Sequence, residues 1–210
     1  CEFADSKKLT ESKRWELMKR ISTDTDLLNS QLGYAITSLT ATDISSSMLR
    51  PSTSIVNLNE QAHDASINLI KLVISKLKSK YPTVKIKALY IDTVGTPSTY
   101  VKKLRTFFST SDIEVIKVEK KADATYPIVS AASVVAKVTR DWDLKQQMLK
   151  LGIDDFNWGS GYPGDPNTIK FINSRMHPWF GWDHNVRYSW STAKNALEKN
   201  RAVEIRWEHE

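Results

Sequence analysis

Asp92 closes an apolar run, Ile86 to Ile91, and is followed by Thr93-Val94-Gly95. A carboxylate at the end of a buried strand is unfavourable unless it is paired, hydrogen-bonded or bound to a cation. In open α/β sheets the carboxyl ends of strands are also where ligands sit. Asp123 has a similar place, after the run Ile113 to Val118 and before a helical stretch. If the two strands are neighbours, both carboxylates reach one point above the sheet. Oxygen ligands that converge in this way suit hard cations such as Mg²⁺ or Mn²⁺. The plain alternative for each is a turn or helix-cap aspartate, and spacing alone does not separate the two.

The segment Gly159-Ser160-Gly161-Tyr162-Pro163 carries a second kind of chemistry. Glycines permit close backbone approach to a ligand, and a tyrosine beside proline has little freedom. An exposed, rigid ring stacks on a base or sugar, although a tight turn around a core tyrosine would use the same residues. Arg187-Tyr188-Ser189-Trp190-Ser191-Thr192 puts a cation and hydroxyls at a helix start, where free amides and the helix dipole favour phosphate. Lys7, Lys8, Lys120 and Lys121 either extend that surface or are simply solvated. His63, His177, His184 and His209 have no zinc-ligand spacing and read as structural.

These residues need elements to position them. Thr10 is a fitting N-cap for a helix whose apolar stripe is Trp15, Leu17, Met18 and Ile21. Alternation through Tyr34, Ile36 and Ser38 predicts a strand that ends near Asp43. A long helix runs from about Asn59, with Ile67, Ile70, Val73, Ile74 and Leu77 facing the core, and stops at Tyr81-Pro82. Helices are expected to start near Pro97 and to run from Pro127 through Lys150, around Val134, Val135 and Val138. Strand, helix, strand, helix implies an α/β sheet flanked by helices. A structured loop over 157–166, two helices near 168–176 and 189–199, and a short edge strand over 205–208 complete the reading.

The chain of 210 residues suits one domain with a small appended lobe. No apolar run approaches the length of a membrane span, and no signal-peptide pattern argues for secretion. The single cysteine, Cys1, excludes an internal disulfide framework and fits a reducing compartment. A start at Cys1 rather than Met suggests a fragment, a processed chain or an incomplete gene model. The net charge of +6 favours a polyanionic partner, unless the surface is merely lysine-rich.

Taken together, these segments resemble the type 2 ribonuclease H family, in its eukaryotic catalytic form. The resemblance rests on Asp5-Ser6-Lys7, on Asn57-Leu58-Asn59 through His63-Asp64, and on Asp92-Thr93-Val94-Gly95. It continues through Lys121-Ala122-Asp123-Ala124 with Tyr126-Pro127, and Ser130-Ala131-Ala132-Ser133. Gly159-Ser160-Gly161-Tyr162-Pro163 with Asp165-Pro166, Arg187 through Thr192, and Ile205-Arg206-Trp207-Glu208 complete it. It implies a ribonuclease H-like fold, a central mixed sheet flanked by helices, with a catalytic core over 1–150. A C-terminal helical region over 151–210 would contact substrate and partners.

The implied activity is endonucleolytic cleavage on the 5′ side of ribonucleotides, in RNA–DNA hybrids and singly embedded in duplex DNA. Two Mg²⁺ (or Mn²⁺) ions would act, with Asp92 and Asp123 as catalytic metal ligands. Tyr162 would stack at the ribose–deoxyribose junction, while Lys7, Gly161, Arg187, Ser189 and Thr192 contact substrate. The resemblance also implies a heterotrimer with two accessory subunits, no membrane, and the nucleus as location, with the cytoplasm second. One departure stands out. The family's opening strand carries D-E-A-G-R-G, which supplies two further carboxylates and reads the ribose 2′-hydroxyl; no Asp-Glu pair occurs in this sequence. The expectation is therefore a core lacking its first strand or strands, poorly stable and with negligible cleavage by these residues alone. A non-catalytic hybrid-binding or complex-assembly relative is the alternative reading.

Overall fold

The computed structural model describes residues 3, 9–93, 95–153 and 158–204. They fold as an α/β structure in the order α1 (Glu11–Ser22), α2 (Leu27–Gln31), α3 (Ala41–Met48), α4 (Leu58–Lys80), β1 (Ile86–Asp92), α5 (Pro97–Phe107), β2 (Ile113–Glu119), α6 (Ala122–Thr125), α7 (Pro127–Lys150), α8 (Pro166–Arg175) and α9 (Ser191–Lys199). Two compact units emerge, one of 1–37 with 59–142, the other of 38–58 with 143–210.

In the first unit, β1 and β2 pair in parallel, with Ile86 beside Ile113 and Asp92 beside Glu119. The crossover is α5, which Pro97 opens at its first turn, as its fixed φ allows. Arg105 of α5 holds the crossover down by donating to the Ile113 and Glu114 carbonyls at 2.8 and 3.0 Å. Ile67 of α4, Tyr100, Leu104 and Phe108 from α5 and its end, and Ile113 and Val118 of β2 form one core. A second core joins Phe3 and α1, through Leu17 and Ile21, to Ala131, Val134, Val135 and Val138 of α7. Full burial of each such aliphatic side chain is worth roughly 1.5–3 kcal/mol.

The predicted helix at Thr10 forms, with the Lys13 amide donating to the Thr10 hydroxyl at 3.3 Å. Trp15, expected in its apolar stripe, is 41% exposed. The predicted strand through Tyr34 and Ile36 is a correction. Residues 32–40 enter no ladder among the described residues, and both side chains are half exposed. Alternation supplies a strand's side-chain pattern but not the neighbouring backbone that a strand must bond. Asp43, read as that strand's end, instead completes a capping box that starts α3. Its carboxylate accepts from the Thr40 amide at 3.0 Å, and its own amide donates to the Thr40 hydroxyl at 3.0 Å.

In the second unit, Met148, Ile153 and Trp158 are buried together, with Leu144, Leu151 and Phe171 packed around them. The last helices begin two residues away from the expected points. Asp165 caps α8, and Pro166 takes its first turn, while α9 starts at Ser191. The proposed edge strand over 205–208 lies outside the described residues.

Candidate active site

Asp92 is the last residue of β1, and the ladder runs one step past it, with the Thr93 amide donating to the Glu119 carbonyl at 3.1 Å. The chain after β2 turns sharply through Lys121, a non-glycine residue at φ 59°. That turn swings the Ala122 amide onto Asp92, where it donates to Oδ1 at 3.0 Å. Asp123 is the next residue, 7% exposed. Parallel pairing and the left-handed turn thus bring the two aspartates to one corner of the first unit, while Asp92 itself stays exposed. Beyond Asp92, Thr93 is buried and its hydroxyl accepts from the Gly95 amide at 3.3 Å. Val94 lies outside the described residues.

A third carboxylate, Glu119, is level with Asp92 across the ladder. Nothing in the spacing marked it, because the register that aligns the two residues is not written locally. The Tyr126 hydroxyl donates to its Oε1 at 2.7 Å. That hydrogen bond, with some burial, raises the Tyr126 pKa and keeps the phenol protonated. Tyr126 also packs against Tyr90, ring centroids 4.5 Å apart.

Asp92 and Asp123 offer the oxygen donors that hard divalent cations take, and Asp92 Oδ2 has no partner among the described residues. Among those residues, however, no group of three or more His, Cys, Asp or Glu side chains is arranged to hold an ion. The donor chemistry fits, but the set is partial.

Of the other predicted substrate-contacting residues that the structure describes, Lys120 and Lys121 lie in the first unit and Gly161, Tyr162, Arg187, Ser189 and Thr192 in the second. The loop before α8 is built around Asp165, whose Oδ2 accepts from the Ser160 amide at 2.6 Å and whose Oδ1 accepts from the Asn167 amide at 2.9 Å. Hydrogen bonds from Ser160, then from Asn167, hold its carboxyl below the usual carboxylate range. Buried Thr168 takes the Gly161 amide at 3.0 Å and donates to the Trp158 carbonyl at 3.1 Å. Gly159 has φ 76°, and a Cβ there would lie 2.6 Å from the Thr168 amide nitrogen. The close approach that glycine allows at this position is to the loop's own helix rather than to a ligand. Gly161 also has a left-handed φ, 76°. The result is that Tyr162 projects from a tied-down backbone with 55% of its surface exposed. A core tyrosine is thereby excluded.

Thr192, in the first turn of α9, reaches this loop by donating to the Pro163 carbonyl at 3.5 Å, a long contact. No side chain caps α9, so its leading amides keep their anion-binding character. The Ser189 hydroxyl is buried without a partner among the described residues, and the Arg187 guanidinium stands 4.9 Å from the centre of the Trp190 ring. Gly161, Tyr162, Arg187, Ser189 and Thr192 therefore belong to one unit, and the two carboxylates to the other. Lys7, like Lys8 and His209, lies outside the described residues.

Sequence reasoning missed Tyr188. Its hydroxyl accepts from the Trp182 amide at 2.7 Å and shares its proton between the Phe180 and Trp182 carbonyls. Its amide donates to Ser45 Oγ of α3 at 3.0 Å, so a partner 143 positions earlier anchors the Arg187 segment. His63 stacks flat on Tyr100 at 3.7 Å, and His177 Nδ1 accepts from the Trp179 and Phe180 amides at 3.2 and 3.3 Å. Both act in packing or turns.

A family model for Ribonuclease HII matches residues 1–193. The chain is 45% identical over 210 residues to a protein of Neurospora crassa named for one subunit of ribonuclease H2, across 99% of this chain and 62% of that protein. The protein of the same name from Schizosaccharomyces pombe is 40% identical, across 98% of this chain and 61% of the relative. The chain thus spans about three fifths of the length of these relatives. Among solved structures, the ribonuclease H2 of Pyrococcus horikoshii OT3 superposes with a TM-score of 0.68 at 27% identity, over 95% of this chain and 82% of that one. The expected fold class is the one observed.

Proposed function

Because this chain belongs to the ribonuclease HII family, we propose that it forms the catalytic part of an endonuclease. The enzyme cleaves on the 5′ side of ribonucleotides, in RNA–DNA hybrids and where single ribonucleotides are embedded in duplex DNA. The observation that carries this reading is the hydrogen bond from the Ala122 amide to Asp92 Oδ1 at 3.0 Å, which joins the end of β1 to the turn bearing Asp123.

In this reading Asp92 and Asp123 hold Mg²⁺ or Mn²⁺, within a core over 1–150. When bound, a pair of such ions supplies the charge stabilisation that phosphodiester hydrolysis needs. The chain's own residues bind and orient the substrate. The exposed Tyr162 ring stacks at the ribose–deoxyribose junction, on a loop that Gly161 shapes. The uncapped start of α9, with Ser189, Thr192 and Arg187, receives a backbone phosphate, and Lys7 adds a further contact. Both relatives are named for one subunit of ribonuclease H2, which supports assembly with other chains. We assign two accessory subunits in a heterotrimer, contacts to them within 151–210, and action in the nucleus, with the cytoplasm as a second location.

A polypeptide limited to these 210 residues is expected to nick negligibly, since it carries two of the family's four carboxylates and no D-E-A-G-R-G stretch. The test is nicking of a duplex with one embedded ribonucleotide, with and without Mg²⁺. The 210-residue chain is compared with a version that also carries the family's D-E-A-G-R-G strand. Activity confined to the longer version, and lost on Asp92→Asn, supports the proposal. The lack of a three-ligand cluster among the described residues favours one second reading, a non-catalytic hybrid-binding relative. That protein would bind hybrids in a salt-sensitive, Mg²⁺-indifferent way and cleave with neither version.

A further inference from the structure

Between α8 and α9 lies an open groove of about 580 Å³, lined by Pro166, Ile169, Lys170, Asn173, Ser174 and Lys199. Its neutral polar groups are already engaged. Asn173 donates to the Ile169 carbonyl at 2.8 Å and accepts from Asn200 at 3.2 Å, and the Ser174 hydroxyl donates to the Phe171 carbonyl at 3.0 Å. Its two lysines are not. Both are exposed, and neither has a carboxylate partner among the described residues. Glu198, next to Lys199, faces Lys194 at 3.9 Å instead. The polar groups the groove has left to offer are therefore cationic, beside the exposed apolar faces of Pro166 and Ile169, on a shallow floor that suits an extended anion better than a small enclosed one.

The groove also continues the surface already described. Pro166 directly follows Asp165, the organiser of the Tyr162 loop, and Thr192 at the other end of α9 touches that loop through Pro163. From Ser191 to Lys199, α9 rises about 12 Å at 1.5 Å per residue, roughly three to four nucleotides at about 3.4 Å each along one strand.

We propose that the α8–α9 groove is a second phosphate-backbone site, in which Lys170 and Lys199 hold all-DNA duplex several nucleotides away from the ribonucleotide that Tyr162 reads. This rests on the nucleic-acid reading of the same unit and extends its footprint. It differs from the α9 start in its place, at the other end of that helix, and from the Tyr162 contact in needing no ribose. Lys199 also has a plain structural role, offsetting the carbonyl end of α9, and that role predicts a change in stability rather than in binding.

The experiment measures binding of the full protein to a labelled duplex of plain DNA, about 20 base pairs long, between about 50 and 200 mM salt without divalent cations. Lys170→Ala and Lys199→Ala are each expected to flatten the plot of log K against log salt by about 0.9, and the double variant by about 1.8. Lys→Arg at both positions should keep the parent slope. Lys→Gln at both positions serves as a second pair should an alanine variant fold poorly. The parent slope in a folded double variant overturns the proposal, as does a parent that does not bind plain duplex. So does loss of an acidic protein partner with duplex binding intact. Nicking is scored separately. A protein that nicks but ignores both lysines keeps the function and loses this site, whereas one that binds through them and never nicks does the reverse.

Discussion

At the scale of single residues, the informative atom is Asp92 Oδ1. It accepts the Ala122 amide at 3.0 Å, and an asparagine oxygen can do the same. Asp92→Asn thus removes charge while keeping the tie to the turn. In the version that also carries the D-E-A-G-R-G strand, the expected outcome is a fall in single-turnover nicking on the order of a thousandfold or more, with the thermal midpoint little changed. A modest loss of rate would remove Asp92 from the metal set. Tyr162 is the converse case, since the residue is 55% exposed and lies outside the buried core. Tyr162→Ala should weaken binding at a ribonucleotide junction by about 1–3 kcal/mol, the worth of one stacked base. Tyr162→Phe should retain most of it. Loss of stability in the alanine variant would instead make the ring a packing residue.

Elements set how precisely such side chains are aimed. The loop before α8 is organised by Asp165, with Gly159 packed beneath it. Gly159→Ala brings a Cβ within 2.6 Å of the Thr168 amide in a left-handed backbone, and should destabilise the protein by roughly 1–3 kcal/mol in chemical denaturation. The same substitution at Gly164, where a Cβ meets nothing within 4 Å, should be far milder. The Asp165 pKa is depressed, so its contribution is fully present above the unfolded value near 3.9. That contribution is lost as pH falls through the lower folded value. Protection of the Ser160 and Asn167 amides from hydrogen exchange should fall over that acid range, and Asp165→Asn should abolish the dependence.

For the whole molecule, several depressed carboxylates act together. Hydrogen bonds from Lys78, then from Ser109, lower the Asp112 pKa to about 2. Asp26 is lowered by the Leu28 amide first and Asp43 by Thr40 first. Each stabilises the fold above its unfolded pKa and ceases to as pH falls through its folded one. Global stability should therefore decline from about pH 4 toward about pH 2, measured by urea titration. Stability that is flat over that range would contradict it. Tyr34 and Ile36, half exposed on a segment without a ladder partner among the described residues, add a liability. The 210-residue polypeptide alone is expected to self-associate, and a monodisperse sample with cooperative unfolding would count against that.

Locally encoded features were legible in the sequence. The residue pattern determined the helix over 127–150, the proline-opened α5, the Thr10 cap, and strands that end at Asp92 and near Glu119. Periodicity, proline and short polar side chains act within a few residues of themselves. The Thr40-x-x-Asp43 box was equally local, but alternation through residues 34–39 obscured it. Other features depended on groups distant in the chain. Glu119 stands level with Asp92 because of a parallel register, and the Ala122 amide finds a carboxylate 30 positions away. Tyr188 is held by Ser45, and Tyr162 faces solvent because Asp165 and Thr168 have taken up the loop's amides. The sequence by itself determined which residues had the chemistry. Only tertiary structure decided which of them share a corner, because a hydrogen bond or ladder between distant segments is a property of the folded pair and of neither segment alone.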